Sequence, residues 1–282
     1  MNSDERKQMP DEKSVSSLHR AMEIVKALAR SAETGLRISE LCKALGMTQA
    51  TTHRLLQQLV DEGLVEQPGQ RKLYRLSIEF FALAARAGDQ GGLRALCRPA
   101  LLRLGASLGD SVFLLVRAGF DALCLDRWEG PFPIRSFTGD IGGRVPLGVG
   151  QGAMVILAHL PAAEQDEVIR FNVPRVLHMN AVDEVYLRTE AAKARAQGYA
   201  DINTGQIEGM AGAAVPVFDC NQRVVAALSV GTLTSRLNAE RLPVVIQLLQ
   251  REAKALQAQI NPFDRTLRRP ADGLAGAVKP PP

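Results

Sequence analysis

The sequence predicts an α+β protein, with a small helical module at its N-terminus and a larger domain built on a mixed, largely antiparallel sheet. Three observations predict this class. The length of 282 residues suggests about two domains. Apolar residues recur at helical spacing in the first quarter of the chain, and strand-like runs come later in adjacent pairs separated by helices. The hydrophobic fraction of 46% and the charged fraction of 23% are typical of a folded chain.

Three helices are predicted within residues 14–77, after a flexible polar tail at residues 1–13. The second of them ends at Gly46 and the third begins at Thr48 and runs to about Asp61. These boundaries follow because glycine commonly ends a helix and a threonine side chain commonly caps the start of one.

A β-hairpin is predicted next, because the extended runs 64–67 and 72–76 flank a Pro68-Gly69 turn. Two helices, a short glycine-ended turn, a third helix and a hairpin form the order of a winged helix-turn-helix. We therefore expect residues 14–77 to fold as that module.

A glycine cluster at residues 88, 91 and 92 marks the predicted domain boundary. Residues 78–92 are predicted as a linker helix and hinge, 93–260 as the second domain and 261–282 as a disordered proline-rich tail. In the second domain we predict helices at about 93–108, 152–160, 162–170, 183–197 and 238–260, and strands at 111–117, 120–128, 199–203, 212–218 and 223–232. Their order favours a largely antiparallel sheet with flanking helices, in a GAF/PAS-like arrangement.

Several classes of protein are disfavoured by composition. Prolines and glycines in the longest uncharged stretch, residues 145–163, leave about ten residues for an apolar helix, which is too short for a bilayer. The charged N-terminus has no secretion-signal core, and four scattered cysteines favour reduced thiols in the cytoplasm. The four histidines have no metal-binding spacing, so neither a metal nor another cofactor is expected. The net charge of +4 allows a polyanionic partner without requiring one.

One side of the third helix has the composition of a DNA-reading surface. The side expected to pack carries Thr48, Thr51, Thr52, Leu55 and Leu59. The opposite side carries Ala50, His53, Arg54 and Gln57. Arginine binds guanine and glutamine binds adenine through paired hydrogen bonds, and small side chains permit close approach. Arg71 and Lys72 at the hairpin tip are expected to contact phosphates. The pattern alone is also that of a solvated helix in an unrelated three-helix bundle.

An anion site is predicted where glycines at residues 148, 150 and 152 precede an apolar helix. Backbone N–H groups and the helix dipole converge near Gly150 and Gln151, where a small carboxylate could bind without a charged side chain. The alternative is a tight loop that needs its glycines only for packing.

Several motifs along the chain resemble the IclR family of bacterial transcriptional regulators. In the first module these are SSLHRAMEIVKAL, ISELCKALGMTQATTHRLLQQLVDEGLVEQ and YRLS. In the second domain they are GDSVFLLV, LDRWEG, GGRVPLGVGQGAM, QGYADI, EGMAGAAVPVFD and VVAALSVG. They occur in the family's order and spacing over roughly nine-tenths of the chain, from residue 15 to residue 260.

The resemblance implies a homodimer or dimer of dimers on a palindromic operator in double-stranded DNA, whose binding a small-molecule effector modulates. It implies DNA contacts from Gln49, Ala50, Thr51, His53 and Arg54. It implies an effector-binding and oligomerisation domain at residues 93–260, with the pocket at the helix start near Gly150 and Gln151. The opposite wall is expected from Asp201, Asn203, Gly212, Ser229 and Gly231. Family members often carry cysteine at the position of Gly212, so we expect the glycine to enlarge the pocket.

Three alternative functions have to be compared with this one. Gly148, Gly150 and Ala153 match the loose GxGxxA fingerprint of NAD-dependent oxidoreductases, but Pro146 interrupts the preceding run. Ser229 lies in a partial GxSxG motif of serine hydrolases that lacks its first glycine. An architectural DNA-binding protein without a ligand would not need so large a second domain. The sequence therefore predicts no catalytic residues and a regulator whose effector is a carboxylate or an aromatic catabolite.

Overall fold

The computed structural model describes residues 16–31, 35–68, 72–80, 83, 92–131, 140–179, 182–201 and 209–260. The chain divides into two compact units, Met1–Gly88 (unit 1) and Asp89–Pro282 (unit 2). The predicted tails at 1–13 and 261–282, the hairpin tip with Arg71, and Asn203 lie outside the described residues.

Unit 1 contains three helices and a small sheet. The helices are α1 (Ser17–Arg30), α2 (Ile38–Leu45) and α3 (Gln49–Asp61), and the strands are β1 (Leu36–Arg37), β2 (Val65–Glu66) and β3 (Leu73–Leu76). The strands are antiparallel in the order β1-β3-β2. The predicted helices and hairpin are confirmed, whereas β1 was not predicted because two residues are too few to show an alternating pattern. Gly46 ends α2 with φ 63°, as predicted.

The core of unit 1 lies between the three helices and the sheet. Ile24 and Leu28 of α1 pack with Leu41 of α2 and with Leu55 and Leu56 of α3, and all five are almost fully buried. Residues 78–80 are helical, while most of the predicted 78–92 linker lies outside the described residues.

Unit 2 is built on a five-stranded antiparallel sheet. The strands are β4 (Ser111–Ala118), β5 (Asp121–Trp128), β6 (Arg144–Pro146), β7 (Met210–Phe218) and β8 (Val224–Leu233), in the order β6-β5-β4-β8-β7. The short β6 was not among the predicted strands, because it is defined by its pairing with β5 rather than by its own pattern. The prediction of a strand at 199–203 is wrong for the described residues 199–201, where Ala200 forms only an isolated bridge with Ala214.

Helices cover both faces of this sheet. They are α4 (Leu93–Leu108), α5 (Gln151–Ala158), α6 (Ala162–Val176), α7 (Glu184–Gln197) and α8 (Arg241–Gln257). One core joins α4 and α8 to one face, and a second core joins α5, α6 and α7 to the other. The helix α6 extends beyond its predicted end at 170 because its buried stripe continues to Asn172 and Val176. Among the described residues, no helix has the length and apolar character needed to span a bilayer.

Asp110 is a buried charge that ties the start of β4 to the segment between β8 and α8. Its side chain is 0% exposed, and its carboxylate accepts hydrogen bonds from the Thr232 hydroxyl at 2.8 Å and from Arg236 Nε at 2.9 Å. Arg241 Nη2 donates to the other oxygen at 2.5 Å and also to the Leu108 carbonyl at 2.8 Å. Removal of the carboxylate would take the buried negative charge away from two partly buried guanidinium groups.

We therefore expect Asp110→Ala to lower the free energy of unfolding of unit 2 by about 3 kcal/mol, because breaking a buried ion pair leaves uncompensated charge. Urea unfolding followed by circular dichroism measures this. The matched control is Asp166→Ala, which removes an exposed pair with Arg188 and should cost under about 1 kcal/mol. Equal effects of the two substitutions would contradict the structural role of Asp110.

Candidate DNA-binding surface and effector site

The orientation of α3 is set by the side that it buries. Thr52, Leu55, Leu56 and Leu59 are buried, which confirms the predicted packing side except that Leu56 was missed and Thr48 is exposed. The residues predicted for the opposite side are all exposed: Ala50, His53, Arg54 and Gln57. Gln49, which the resemblance added to the DNA contacts, is exposed as well.

A hydroxyl network fixes the start of α3. The Thr48 side chain caps the helix by accepting a hydrogen bond from Thr51 N at 3.3 Å, and its hydroxyl donates to Thr51 Oγ1 at 3.0 Å. The Thr52 hydroxyl donates to the Thr48 carbonyl at 2.9 Å and accepts from Cys42 Sγ of α2 at 3.4 Å. Thr51 is half-buried at the edge of the exposed side. The helical pattern predicted it as a packing residue and the resemblance implied a DNA contact, and its position lies between the two.

The exposed side of α3 is rich in hydrogen-bond donors and has no carboxylate before Asp61. Arg54 carries five guanidinium donors in a planar fork, which matches paired acceptors on a base edge. The Gln57 amide donates to Asp61 Oδ1 at 3.1 Å, so the last acid of the helix holds that amide in place. This arrangement can approach a polyanion along the first three turns of the helix.

The hairpin of unit 1 carries further charged side chains. Arg75 Nε pairs with Glu66 Oε1 at 2.6 Å across β2 and β3, so this arginine is occupied within the sheet. Lys72 is exposed, with φ 50° at the edge of the turn. Only the Lys72 end of the predicted phosphate-contacting pair is therefore described.

Two basic residues of α1 lie outside the set that the pattern of α3 predicts. His19 and Arg20 line a surface groove of about 570 Å³, together with the turn between α2 and α3 and the residues Thr48 and Thr51. Their position in the sequence, directly after Ser16, could have indicated them. The Ser16 hydroxyl caps α1 by accepting a hydrogen bond from His19 N at 3.2 Å, which places both residues in the first turn of the helix.

In unit 2, the glycine loop before α5 is shaped by packing. A side chain at Gly148, where φ is 101°, would collide with Leu187 of α7, and one at Gly152 would collide with Leu115 of β4. Asn172 Nδ2 of α6 donates to the Leu147 carbonyl at 3.2 Å and holds the loop in place. Packing is thus a sufficient reason for two of the three glycines.

Gly150 has a different role, because it is the residue that caps α5. Its φ of 77° favours glycine, and its carbonyl accepts the first hydrogen bond of the helix, from Met154 N at 2.9 Å. The N–H groups of the first turn, from Gln151 onwards, have no acceptor within the helix. The start of α5 therefore combines backbone N–H groups with the positive end of the helix dipole, which together favour an anion.

Small residues of the sheet lie beneath the start of α5. Gly212 of β7, Gly231 of β8 and Ser111 of β4 are neighbours in register across three strands. The Gln151 side-chain amide lies 3.0 Å from the position that a Cβ on Gly212 would occupy. The room that Gly212 leaves is therefore partly taken by Gln151, in place of the enlarged pocket that we expected. Ser229 lies one row further on, opposite Phe113 and buried.

Asp201 is engaged elsewhere. Its carboxylate accepts a hydrogen bond from Gln197 Nε2 at 3.2 Å and pairs with Lys193 Nζ at 3.4 Å, both on α7. The structure thus brings Gly150, Gln151, Gly212, Ser229 and Gly231 together around the start of α5, while the described contacts of Asp201 are with α7.

Burial shifts the pKa of two titratable groups in unit 2. Burial raises the pKa of the Cys124 thiol to about 11, so it stays protonated, and burial lowers the pKa of His159 at the end of α5. No group of metal-binding side chains occurs among the described residues. The short β6 does precede the GxGxxA stretch, but it is antiparallel to β5, so the parallel unit of a dinucleotide site is not formed there. The strand β8 continues past Ser229 to Leu233, which excludes a nucleophile elbow.

Two descriptions of known protein families match most of the chain. Residues 17–69 match the family description "IclR helix-turn-helix domain" and residues 86–258 match "Bacterial transcriptional regulator IclR C-terminal". The chain is 30% identical to the HTH-type transcriptional regulator KdgR of Escherichia coli K12, over 89% of this chain and 95% of that protein. It is 27% identical to the HTH-type transcriptional regulator XynR of the same strain, over 86% and 96% of the two chains.

Similarity to solved structures supports the fold. An IclR homologue from Microbacterium hydrocarbonoxydans, crystallised with 4-hydroxybenzoate, matches with a TM-score of 0.72 at 24% identity. The match covers 86% of this chain and 98% of that one.

Proposed function

The chain belongs to the IclR family of bacterial transcriptional regulators, and on that premise we propose that α3 lies in the major groove of a palindromic operator in the cytoplasm. It is a DNA-binding regulator with an effector-binding domain, and not an enzyme. The presence of the effector-binding domain disfavours the alternative of an architectural protein without a ligand.

The observation that carries the DNA-binding proposal is the exposed, acid-free side of α3. Arg54 and Gln57 are proposed to contact base edges, since both offer paired hydrogen bonds. The proposed DNA-contacting set comprises Gln49, Ala50, Thr51, His53, Arg54, Gln57, Arg71 and Lys72. The last two are assigned to phosphates, which position the protein without reading sequence.

A palindromic operator requires two copies of α3, and exposed apolar side chains in unit 1 support self-association. Leu18 and Met22 of α1 are 72% and 44% exposed, one helical turn apart, and Ile78 and Leu83 are 76% and 48% exposed. Exposed apolar surface of this kind commonly marks an interface. We propose that a second copy of the chain covers it, and that a dimer or dimer of dimers binds half-sites about one helical turn, or a multiple, apart.

The effector is proposed to be a carboxylate or an aromatic catabolite bound at the start of α5. Backbone donors at Gly150 and Gln151 suit a carboxylate, and the small residues below them leave room for a flat body. The proposed set comprises Gly150, Gln151, Asp201, Asn203, Gly212, Ser229 and Gly231. The effector must bind one arrangement of the DNA-binding units more tightly than another, because equal affinity would shift nothing.

We expect Arg54→Ala to weaken binding to the operator by about 1–3 kcal/mol while leaving binding to unrelated DNA nearly unchanged, because a base contact is lost. Lys72→Ala should weaken binding to both DNAs alike and reduce the slope of affinity against salt concentration by about one phosphate contact. Fluorescence anisotropy with operator and scrambled duplexes over a range of salt concentrations measures both.

Arg30→Ala is the matched control, since it removes an exposed arginine in the last turn of α1 and should leave both affinities as they are. An Arg54→Ala variant with unchanged operator affinity would contradict the assignment of α3. A Lys72→Ala variant that lost affinity for one sequence only would contradict the phosphate role.

Gln151→Glu is expected to abolish the response to an anionic effector while DNA binding survives. The new charge repels a carboxylate, yet it lies at the start of α5, where it favours the helix. The change in operator affinity on addition of carboxylates is measured by fluorescence anisotropy. Gln151→Met has a similar shape without charge and tests whether the loss of the amide alone is enough. Gln250→Glu on the exposed side of α8 adds the same charge elsewhere and controls for the change in net charge. A normal response in Gln151→Glu would show that the effector binds elsewhere.

A further inference from the structure

From the row of residues beneath α5 we infer that the Ser111 hydroxyl is a further effector-binding group, and that the effector has two polar ends. This inference rests on the proposed effector site. It adds a residue at the far end of the row and a requirement on the chemistry of the ligand, namely a second hydrogen-bonding group at a distance from its carboxylate.

Ser111 carries a buried hydroxyl without a partner. The residue is 2% exposed, and its Oγ has no hydrogen-bond partner in the described part of the chain. A hydroxyl buried in this way loses its bonds to water without replacement, which is unfavourable unless something else binds it. Buried polar groups of this kind call for an explanation, and a ligand that is absent from the protein alone supplies one.

The Ser111 side chain lies on the side of the sheet that α5 covers. Side chains alternate along a strand, and Phe113 and Leu115 of the same strand pack in the core that contains α5. Ser111 is opposite Gly231, which in turn is opposite Gly212. No side chain therefore rises from the sheet between Ser111 and the Gln151 amide that contacts Gly212.

Access to this row is provided at Gly231. The residue is partly exposed, although its chain neighbours Val230 and Thr232 are both 0% exposed. Solvent therefore reaches the middle of the row at Gly231, while the Ser111 hydroxyl at its end is buried. A ligand seated over Gly231 would reach Ser111 on one side and the start of α5 on the other.

The length of the row defines the class of ligand. Ser111 and Gly212 are two strand spacings apart, or roughly 10 Å between backbones. A carboxylate at the start of α5 needs a body that extends over the glycines before a second group can reach the hydroxyl. The ligand class is therefore an acid with a hydroxyl or carbonyl at its far end, in place of a short acid with one polar group.

The test compares pairs of acids that differ only in a terminal hydroxyl, 4-hydroxybenzoate against benzoate and 4-hydroxybutyrate against butyrate. Isothermal titration is carried out on the full chain and on Ser111→Ala. We expect the wild-type chain to prefer the hydroxylated member of a pair. In Ser111→Ala the affinity for the hydroxylated acid should fall by about tenfold, as expected for the loss of one hydrogen bond to a polar ligand. The affinity for the acid without the hydroxyl should be unchanged.

Thermal unfolding without ligand gives a second readout. Ser111→Ala should unfold at the same or a higher temperature than the wild type, because the unpartnered hydroxyl is removed, and Ser107→Ala on the exposed side of α4 serves as control. A lower unfolding temperature, or a preference that survives in Ser111→Ala, would overturn the role of Ser111 alone. A wild-type chain that binds no member of either pair would overturn the proposed effector class as well.

Discussion

In each unit, one helix has a side that is buried in the core, and the remaining part of that helix is left for a ligand. These helices are α3 in unit 1 and α5 in unit 2, and the burial of one side is the constraint from which the remaining features follow. In unit 1, Leu55, Leu56 and Leu59 lie in the core, so the opposite side of α3 can only face outward. The bonds from Thr52 to Thr48 and from Cys42 to Thr52 fix the start of the helix. Because apolar burial sets the orientation, the exposed residues can be chosen for DNA without cost to the fold.

In unit 2 the same constraint is stronger, because α5 is buried along almost its whole length. Gly152 lets the helix approach Leu115 and Ser229, and Gly148 makes room for Leu187. Only the first turn of α5, at Gln151, is left partly open, and it lies over the part of the sheet where Gly212 has no side chain. A site for a small molecule thus arises where close helix–sheet packing ends, which is a common position for ligand pockets.

Much of this could be predicted from the sequence because the signals are local. The cap at Thr48, the end of α2 at Gly46 and the exposed side of α3 all follow from residues within a few positions of one another. Features that depend on distant partners could not be predicted. The short strands β1 and β6 exist through pairing with β3 and β5. The segment expected as a strand at 199–203 pairs only through the isolated bridge of Ala200 with Ala214. The contact of Gln151 with Gly212 joins residues 61 positions apart. The orphaned Ser111 hydroxyl is likewise visible only when its surroundings are known.

The claim that the exposed side of α3 reads DNA in symmetric pairs is tested most directly by DNase I footprinting on the region upstream of the protein's own gene. The full chain, at low ionic strength where electrostatic contacts are strongest, should protect two stretches related by dyad symmetry, with centres about one helical turn or a multiple apart. Absence of any protected stretch across that region at saturating protein concentration would contradict the account.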